Sequence, residues 1–376
     1  MSLTPEKHHL DIGILGTRGI PANYGGFETF AEELSTRLVK RGHRVTVYGR
    51  DHFVPRTLKD YRGVRLRVLP CIRHKYFDTV SHTTVATAFA LFASHEVLLV
   101  CNAVNAFLCA FPRLAGQRVI MNVDGIERQR KKWNLAGRLA YRFGEFLATV
   151  LPDAVVADAR VIRDYFEAEY GFRAHFIPYG ASADRTPTTG ALERLGLTPG
   201  CYLLYVSRLE PENNAHLVIE AHIRSGVQHP LVVVGDAPYS RDYIASLQRG
   251  AAGRNIILPG AIYGLGYREL LSHCLCYVHA TEVGGTHPAL IEAMGAGCLA
   301  LVNDTPENRE VLGDAGLVYR FNDPASLAAL MRQVCSNRDQ FAGFKSKAQE
   351  RVSQCYDWES VVDEYEKLFV EPVERV

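Results

Sequence analysis

Several absences narrow the possibilities before any motif is read. No uninterrupted apolar span reaches the roughly 18 residues that a membrane-crossing helix needs. Met1 to His9 contain no apolar run of the secretory kind, so a cytoplasmic protein is expected. Charge excess is almost nil: 42 Lys and Arg stand against 41 Asp and Glu, so no global field draws the chain onto nucleic acid. None of the nine cysteines forms a Cys-x2-Cys pair. His273-Cys274-Leu275-Cys276-Tyr277-Val278-His279 reads as an apolar strand that could turn both thiols to one face, not as a zinc site, and no metal or cofactor is expected. The odd cysteine count suits buried thiols in a reducing compartment. No Gly-x-Ser-x-Gly occurs, which removes the hydrolase nucleophile elbow. No Asp-x-Asp occurs either, which argues against gripping a diphosphate through a divalent metal.

What is present is a repeated alternation of short apolar runs and amphipathic helices. Leu10–Leu15, Arg44–Tyr48, Glu96–Val100, Arg118–Met121 and Ala154–Ala157 read as strands of one unit. Tyr202–Val206, Leu231–Val234, Asn255–Leu258, Cys276–His279 and Cys298–Val302 read as strands of a second. Runs apolar on both faces predict parallel sheets covered by helices. Residues 181–198, rich in Thr, Gly, Ser and Pro, read as a linker. The expected fold is therefore α/β, with two doubly wound Rossmann-like domains facing a central cleft. Residues 1–180 form the N-terminal domain, 181–357 the C-terminal one, and 358–376 a final helix that packs on either. Ligands of such sheets bind at the carboxyl ends of the strands.

Between the first strand and its helix lies Gly16-Thr-Arg-Gly-Ile-Pro-Ala-Asn-Tyr-Gly-Gly26. Glycines there let backbone approach a ligand, and the helix start offers unpaired N–H groups to an anion. A loop that merely needs several tight turns explains them equally well. The spacing is not Gly-x-Gly-x-x-Gly, and the second strand is followed by Gly49-Arg50, not by an acid that would hold a ribose. An NADP-dependent oxidoreductase using Arg50 stays open as a minor alternative.

In the second unit, Ser207-Arg-Leu-Glu-Pro-Glu-Asn-Asn214 follows a strand, and Arg208 is placed to neutralise a diphosphate leaving group. The alternative is a surface arginine paired with Glu210 or Glu212. Thr281-Glu-Val-Gly-Gly-Thr-His-Pro-Ala-Leu-Ile-Glu292 passes from a strand through glycines into a helix. Glu292, one turn inside that helix, is placed to accept from both hydroxyls of a ribose, or else to serve a buried capping network.

Five ordered stretches then carry a resemblance: residues 16–29, Asp124-Gly-Ile-Glu127, Ile177-Pro-Tyr-Gly180, Arg208-Leu-Glu-Pro-Glu-Asn-Asn214 and Gly284-Gly-Thr-His-Pro288. Residues 11–370 resemble the retaining glycosyltransferases of family 4, of GT-B architecture. The five stretches resemble the rhamnosyltransferase-like subgroup of polysaccharide and O-antigen assembly. The resemblance implies a nucleoside-diphosphate sugar, of the dTDP or UDP kind, as co-substrate. It also implies a saccharide acceptor that can be lipid-linked. Gly25 and Gly26 would lie near the donor phosphates, Arg208 on the diphosphate, Gly284, Gly285, Thr286 and His287 as main-chain donors, and Glu292 on the nucleotide ribose. The transferred group would be a hexose or 6-deoxyhexose, with rhamnose implied by the subgroup. Retention would proceed by same-face attack, the leaving phosphate taking the acceptor's proton.

Two departures stand out. The family carries Glu-x7-Glu, but Gly284 stands eight residues before Glu292, which leaves Glu282 as the nearest carboxylate to the transferred sugar. The family also carries lysine five residues after the arginine, where this chain has Asn213, which implies either another first-domain base such as Arg18 or a different donor geometry. A catalytically inactive relative is the alternative that these departures leave. On the acceptor side the loop 122–133 offers Asp124, to orient a hydroxyl or steady an oxocarbenium-like state, with Glu127, Arg130 and Trp133 beside it. Asp124-Gly125 is equally a turn pair. Arg128 to Phe146 mix arginine and lysine with aromatics, which suits the cytoplasmic face of an anionic membrane, an acceptor pyrophosphate or a solvated helix, and Arg56 to Lys75 share that ambiguity.

Overall fold

A computed structural model describes residues 9–370 apart from Tyr24, Lys75, Tyr76, Asp124, Lys131 and Lys132. Among the described residues eight strands form the first sheet: β1 (Asp11–Leu15), β2 (Arg44–Arg50), β3 (Asp60–Tyr61), β4 (Val64–Leu69), β5 (Val97–Cys101), β6 (Arg118–Asn122), β7 (Ala154–Ala157) and β8 (His175–Phe176). Their order is β3-β4-β2-β1-β5-β6-β7-β8, parallel except for the β3–β4 pair. The second sheet holds β9 (Leu203–Val206), β10 (Leu231–Val234), β11 (Ile256–Gly260), β12 (Cys276–His279), β13 (Ala300–Asn303) and β14 (Leu317–Tyr319), all parallel in the order β11-β10-β9-β12-β13-β14. In each sheet the order reverses next to the first strand of the unit, so the loops after β1 and β9 open into a crevice.

Helix Gly26–Lys40 illustrates why the sequence folds this way. Phe30, Ala31, Leu34 and Leu38 recur at three- and four-residue spacing and are all buried. Glu28 sits in its first turn, while Arg37 and Lys40 sit in its last, the order the helix dipole favours. Gly42 ends it at φ +101°, where a side chain would strike the His9 ring.

The stretch Arg56–Lys75 contains strands that alternation could have revealed. In β4, Val64 and Leu66 face the core while Arg65 and Arg67 face solvent, and the Arg67 guanidinium lies 4.2 Å from the Phe89 ring centroid. The thiols of Cys274 and Cys276 do not share a face. Cys274 lies 3.5 Å from Cys298, and Cys276 belongs to a separate core on the other side of the second sheet. No helix among the described residues is long and apolar enough to cross a membrane.

Helix Trp358–Val370 returns to the first sheet. Tyr365 packs between Phe30 and Phe369 and its hydroxyl accepts from the Asn122 amide at 2.8 Å. Arg41 meets Glu359, Asp363 and Glu366, and the Trp358 ring leaves no room for a Cβ on Gly180. The chain thus crosses between the sheets twice, and the crossings touch: the Ala181 N–H donates to the Tyr356 carbonyl at 2.8 Å. Tyr365→Ala is expected to cost about 3–5 kcal/mol, the range for deleting a buried aromatic. Urea denaturation followed by fluorescence measures it; a loss under about 1 kcal/mol would mean that this helix is only an attachment.

Candidate functional site

The loop after β1 is shaped by carboxylates of the helix that follows. At Gly16 a Cβ would sit 2.3 Å from the Cys101 carbonyl oxygen, so the turn there requires glycine. Buried Glu28 accepts from the Arg18 N–H at 2.9 Å, and Glu32 accepts from the Ala22 N–H at 2.7 Å. These bonds carry Gly25 and Gly26 to the rim of the second domain. A Cβ on Gly26 would lie 3.0 Å from Pro288, and one on Gly25 would lie 3.9 Å from the Arg208 side chain.

Opposite, β9 runs into Arg208, whose backbone is held in turn. Its carbonyl accepts from the Asn213 amide at 2.7 Å, and the Tyr205 hydroxyl donates to the Asn213 carbonyl at 2.5 Å. The guanidinium stands 3.9 Å from Glu210, a weak pairing. Helix Pro288–Gly295 starts at His287, and Glu292 accepts from the Tyr267 hydroxyl at 2.6 Å. These groups share one cavity of about 780 Å³, to which Gly25, Gly26, Arg130, Arg208, His287 and Glu292 all contribute.

The field in the cavity is uneven. Burial holds the His287 imidazole down at about 3, helped by the neighbouring Arg130 and Arg208 cations, so it is neutral at any physiological pH. Burial pushes the Glu292 carboxyl up to about 7; the Tyr267 hydrogen bond opposes that rise, and the nearby charge of Glu33 adds to it. The cationic end of the cavity is therefore separate from a carboxyl end that titrates near neutrality.

The structure gathers many of the residues picked out from sequence and leaves others elsewhere. Gly25, Gly26, Arg208, Asn213, Gly284, Gly285, Thr286, His287, Glu292 and Arg130 line the cavity. Glu282 does not. Its carboxylate accepts from the side-chain amides of Asn214 and Asn322 at 3.0 and 2.8 Å, which turns it into a polar network behind the loop. Thr286 is present but spent: its N–H donates to the Asp158 carboxylate at 2.7 Å and its hydroxyl donates to the Asp158 carbonyl. Arg18 is not at the cavity either, since its guanidinium lies over the Phe53 ring at 5.1 Å. Glu127 accepts from Arg130 at 2.6 Å, and Trp133 packs on Tyr141 at 4.9 Å, so neither side chain lines the cleft. Asp124 lies outside the described residues. Arg50 is buried in an ion pair with Asp78 at 2.8 Å, which removes the residue on which the dinucleotide reading rested.

Three contributors escaped the sequence reading: Asp158, Glu310 and Tyr267. Asp158 directly follows β7, so the rule that ligands meet strand carboxyl ends pointed at its position. Glu310, from the second domain, accepts from the N–H groups of Arg160 and Val161 at 2.8 and 3.1 Å and so caps a helix of the first. Tyr267 had no local signal, and Glu212, expected as a possible partner of Arg208, meets Arg130 instead at 3.5 Å. Among the described residues one cluster has metal-ligand spacing, Asp51, His52 and Cys71, away from the cavity. There Arg56 holds Asp51 at 2.7 Å, and burial pushes the Cys71 thiol up to about 12.

Residues 24–185 match the family model of Glycosyltransferase Family 4, and residues 198–351 match that of glycosyl transferases group 1. Each of the two units thus matches a glycosyltransferase domain model, and the fold is that of the GT-B glycosyltransferases. Sucrose-phosphate synthase from Thermosynechococcus elongatus superposes with a TM-score of 0.80 at 16% identity, over 96% of this chain and 98% of that one. The Anabaena protein HepE in complex with UDP-glucose gives 0.79 at 17%, over 96% and 99%. At such identities the likeness is one of fold. The O-antigen chain mannosyltransferase B of Escherichia coli is 25% identical over 162 residues, which span 40% of this chain and 42% of that relative.

The two domains also meet backbone to backbone where both carry glycine. A Cβ on Gly125 would lie 2.4 Å from the Gly284 backbone. Gly125→Ala is therefore expected to part the domains, seen as a larger radius of gyration in solution X-ray scattering with unchanged circular dichroism. An unchanged radius would show that this contact does not set the closure.

Proposed function

We propose that this chain moves a hexose or 6-deoxyhexose from a nucleoside-diphosphate sugar to a saccharide hydroxyl, with retention and without a metal ion. The observation that supports this most is the single cavity that collects Arg208, the two glycine loops and Glu292 from facing sheets. Arg208 neutralises the diphosphate as the bond from the anomeric carbon to the phosphate oxygen breaks and the electron pair leaves with the phosphate. The acceptor oxygen bonds to that carbon on the same face, and its proton passes to the departing phosphate oxygen. Glu292, steadied by Tyr267, accepts from the nucleotide ribose. HepE is described in complex with UDP-glucose, and the family resemblance implies dTDP-rhamnose, so both donors lead the candidates. A second reading, an inactive nucleotide-sugar binder, is favoured by Gly284 and by the turned-away Glu282.

A thermal-shift panel of UDP, dTDP and GDP sugars, followed by a transfer assay, separates these readings. One donor is expected to raise Tm, and Glu292→Ala to abolish the shift. Ribose hydroxyls favour the ionised carboxylate, so binding releases a proton. Affinity should therefore fall as pH drops through about 7, and Glu292→Gln should flatten that profile. Silence across the panel counts against donor binding; a shift without turnover selects the inactive binder.

The acceptor, on this proposal, is lipid-linked and met at a membrane surface. Helix Leu135–Ala148 exposes Leu135, Leu139, Phe143 and Phe146, with Arg138 and Arg142 among them, while its one acid, Glu145, is buried. That helix packs on the 103–109 segment, which with helix Ala110–Leu114 adds exposed Phe107, Phe111 and Leu114. Apolar side chains interspersed with arginine suit an anionic lipid surface. The protein should float with phosphatidylglycerol vesicles and stay behind with neutral ones, and Leu139→Glu with Phe143→Glu should release it. Wild type that stays unbound to both vesicles would overturn the membrane part.

A further inference from the structure

We infer that Arg130, reaching over from the first domain, is the second cation of the diphosphate site and stands in for a positive charge that position 213 lacks. This rests on the glycosyl-donor reading of the cavity. Arg130 leaves the loop after β6 and is buried at 5% exposure, yet it lines the same cavity as Arg208 and His287. Its Nε donates to Glu127 at 2.6 Å, and its Nη1 lies 3.5 Å from Glu212 of the second domain. Glu212 is the immediate neighbour of Asn213. The guanidinium is thus delivered from across the cleft into the cavity that Asn213 also lines.

Asn213 carries no charge, and its amide is bound to the Arg208 carbonyl. The neutral state of His287 has Arg130 and Arg208 as its two charged causes, so both guanidiniums act on the start of helix Pro288–Gly295. A diphosphate placed there would meet one cation from each domain. The other two arginines that line the cavity are both exposed, and Arg62 is paired with Glu32 at 3.6 Å. The loss of the second-domain cation is therefore offset by the first domain, and full diphosphate affinity depends on the two domains being together.

The test uses UDP, dTDP and GDP, each compared with its free nucleoside, by calorimetric titration of four proteins: wild type, Arg130→Gln, Asn213→Lys and the double variant. Glutamine keeps a donor to Glu212, and circular dichroism with Tm checks that each variant folds. Arg130→Lys, which keeps the charge, serves if Arg130→Gln does not fold, with an intermediate loss expected. Arg130→Gln should weaken the diphosphate at least tenfold and leave the nucleoside unchanged, and Asn213→Lys should restore most of that loss in the double variant. A lysine on the opposite domain would not repair a merely structural defect. Unchanged diphosphate affinity, an equal loss for nucleoside and diphosphate, or no rescue by a folded double variant overturns the inference. Wild type that binds none of the three diphosphates overturns the donor reading as well.

Discussion

The buried carboxylate of Asp158 on the Thr286 N–H is the contact around which the cleft is organised. Asp158 directly follows a strand of one sheet and Thr286 lies in the glycine loop beside the other. A buried acceptor that loses its donor costs about 1–3 kcal/mol, and a charged one more, so this contact holds the loop strongly in one place. Gly285 must be glycine for the same reason, since a Cβ there would lie 2.1 Å from that carboxylate. With the loop fixed, His287 starts its helix against Arg208, and Glu292 faces the cavity one turn later. Glu310 on the helix start at Arg160 and Arg130 on Glu212 add further ties across the same gap.

Sequence periodicity revealed the scaffold well and the wiring poorly. Strands Ala154–Ala157, Leu231–Val234 and Cys276–His279 are apolar on both faces, and their ends fall where the pattern breaks. Strand β4 stayed hidden because Arg65 and Arg67 read as part of a basic stretch, although they alternate with the buried Val64 and Leu66. Residue type and neighbourhood were enough for Arg208 and Glu292, which leave strand and helix at the places that such folds use. They were not enough for Glu282 or Thr286. Whether a polar group faces a ligand or its own protein depends on partners far away in sequence, here Asn322 and Asp158. Arg130 is the converse case, a residue whose partner Glu212 lies 82 positions away.

Charge in the cavity follows from burial more than from composition. A chain with almost no net charge still presents two guanidiniums at one end of a cleft and a carboxyl near its neutral point at the other. Arg130 is buried and Arg208 and Glu292 are only partly exposed, so each charge acts at a lower effective dielectric than it would at the surface. The neutral imidazole of His287 fits the same field, because burial disfavours its charged form and the nearby Arg130 and Arg208 cations add to that.

The paired chain crossings near Ala181 and Tyr356 define a mechanical axis. Two strands of covalent chain lie side by side, joined by the Ala181 bond to the Tyr356 carbonyl. A single crossing would allow twist and swing alike. Two crossings bonded together behave like a door on aligned pins: the domains can rotate about one line, but they cannot slide along it or spin about the chain. The far edge of the cleft then travels furthest for any given rotation, and the atoms beside the pins hardly move.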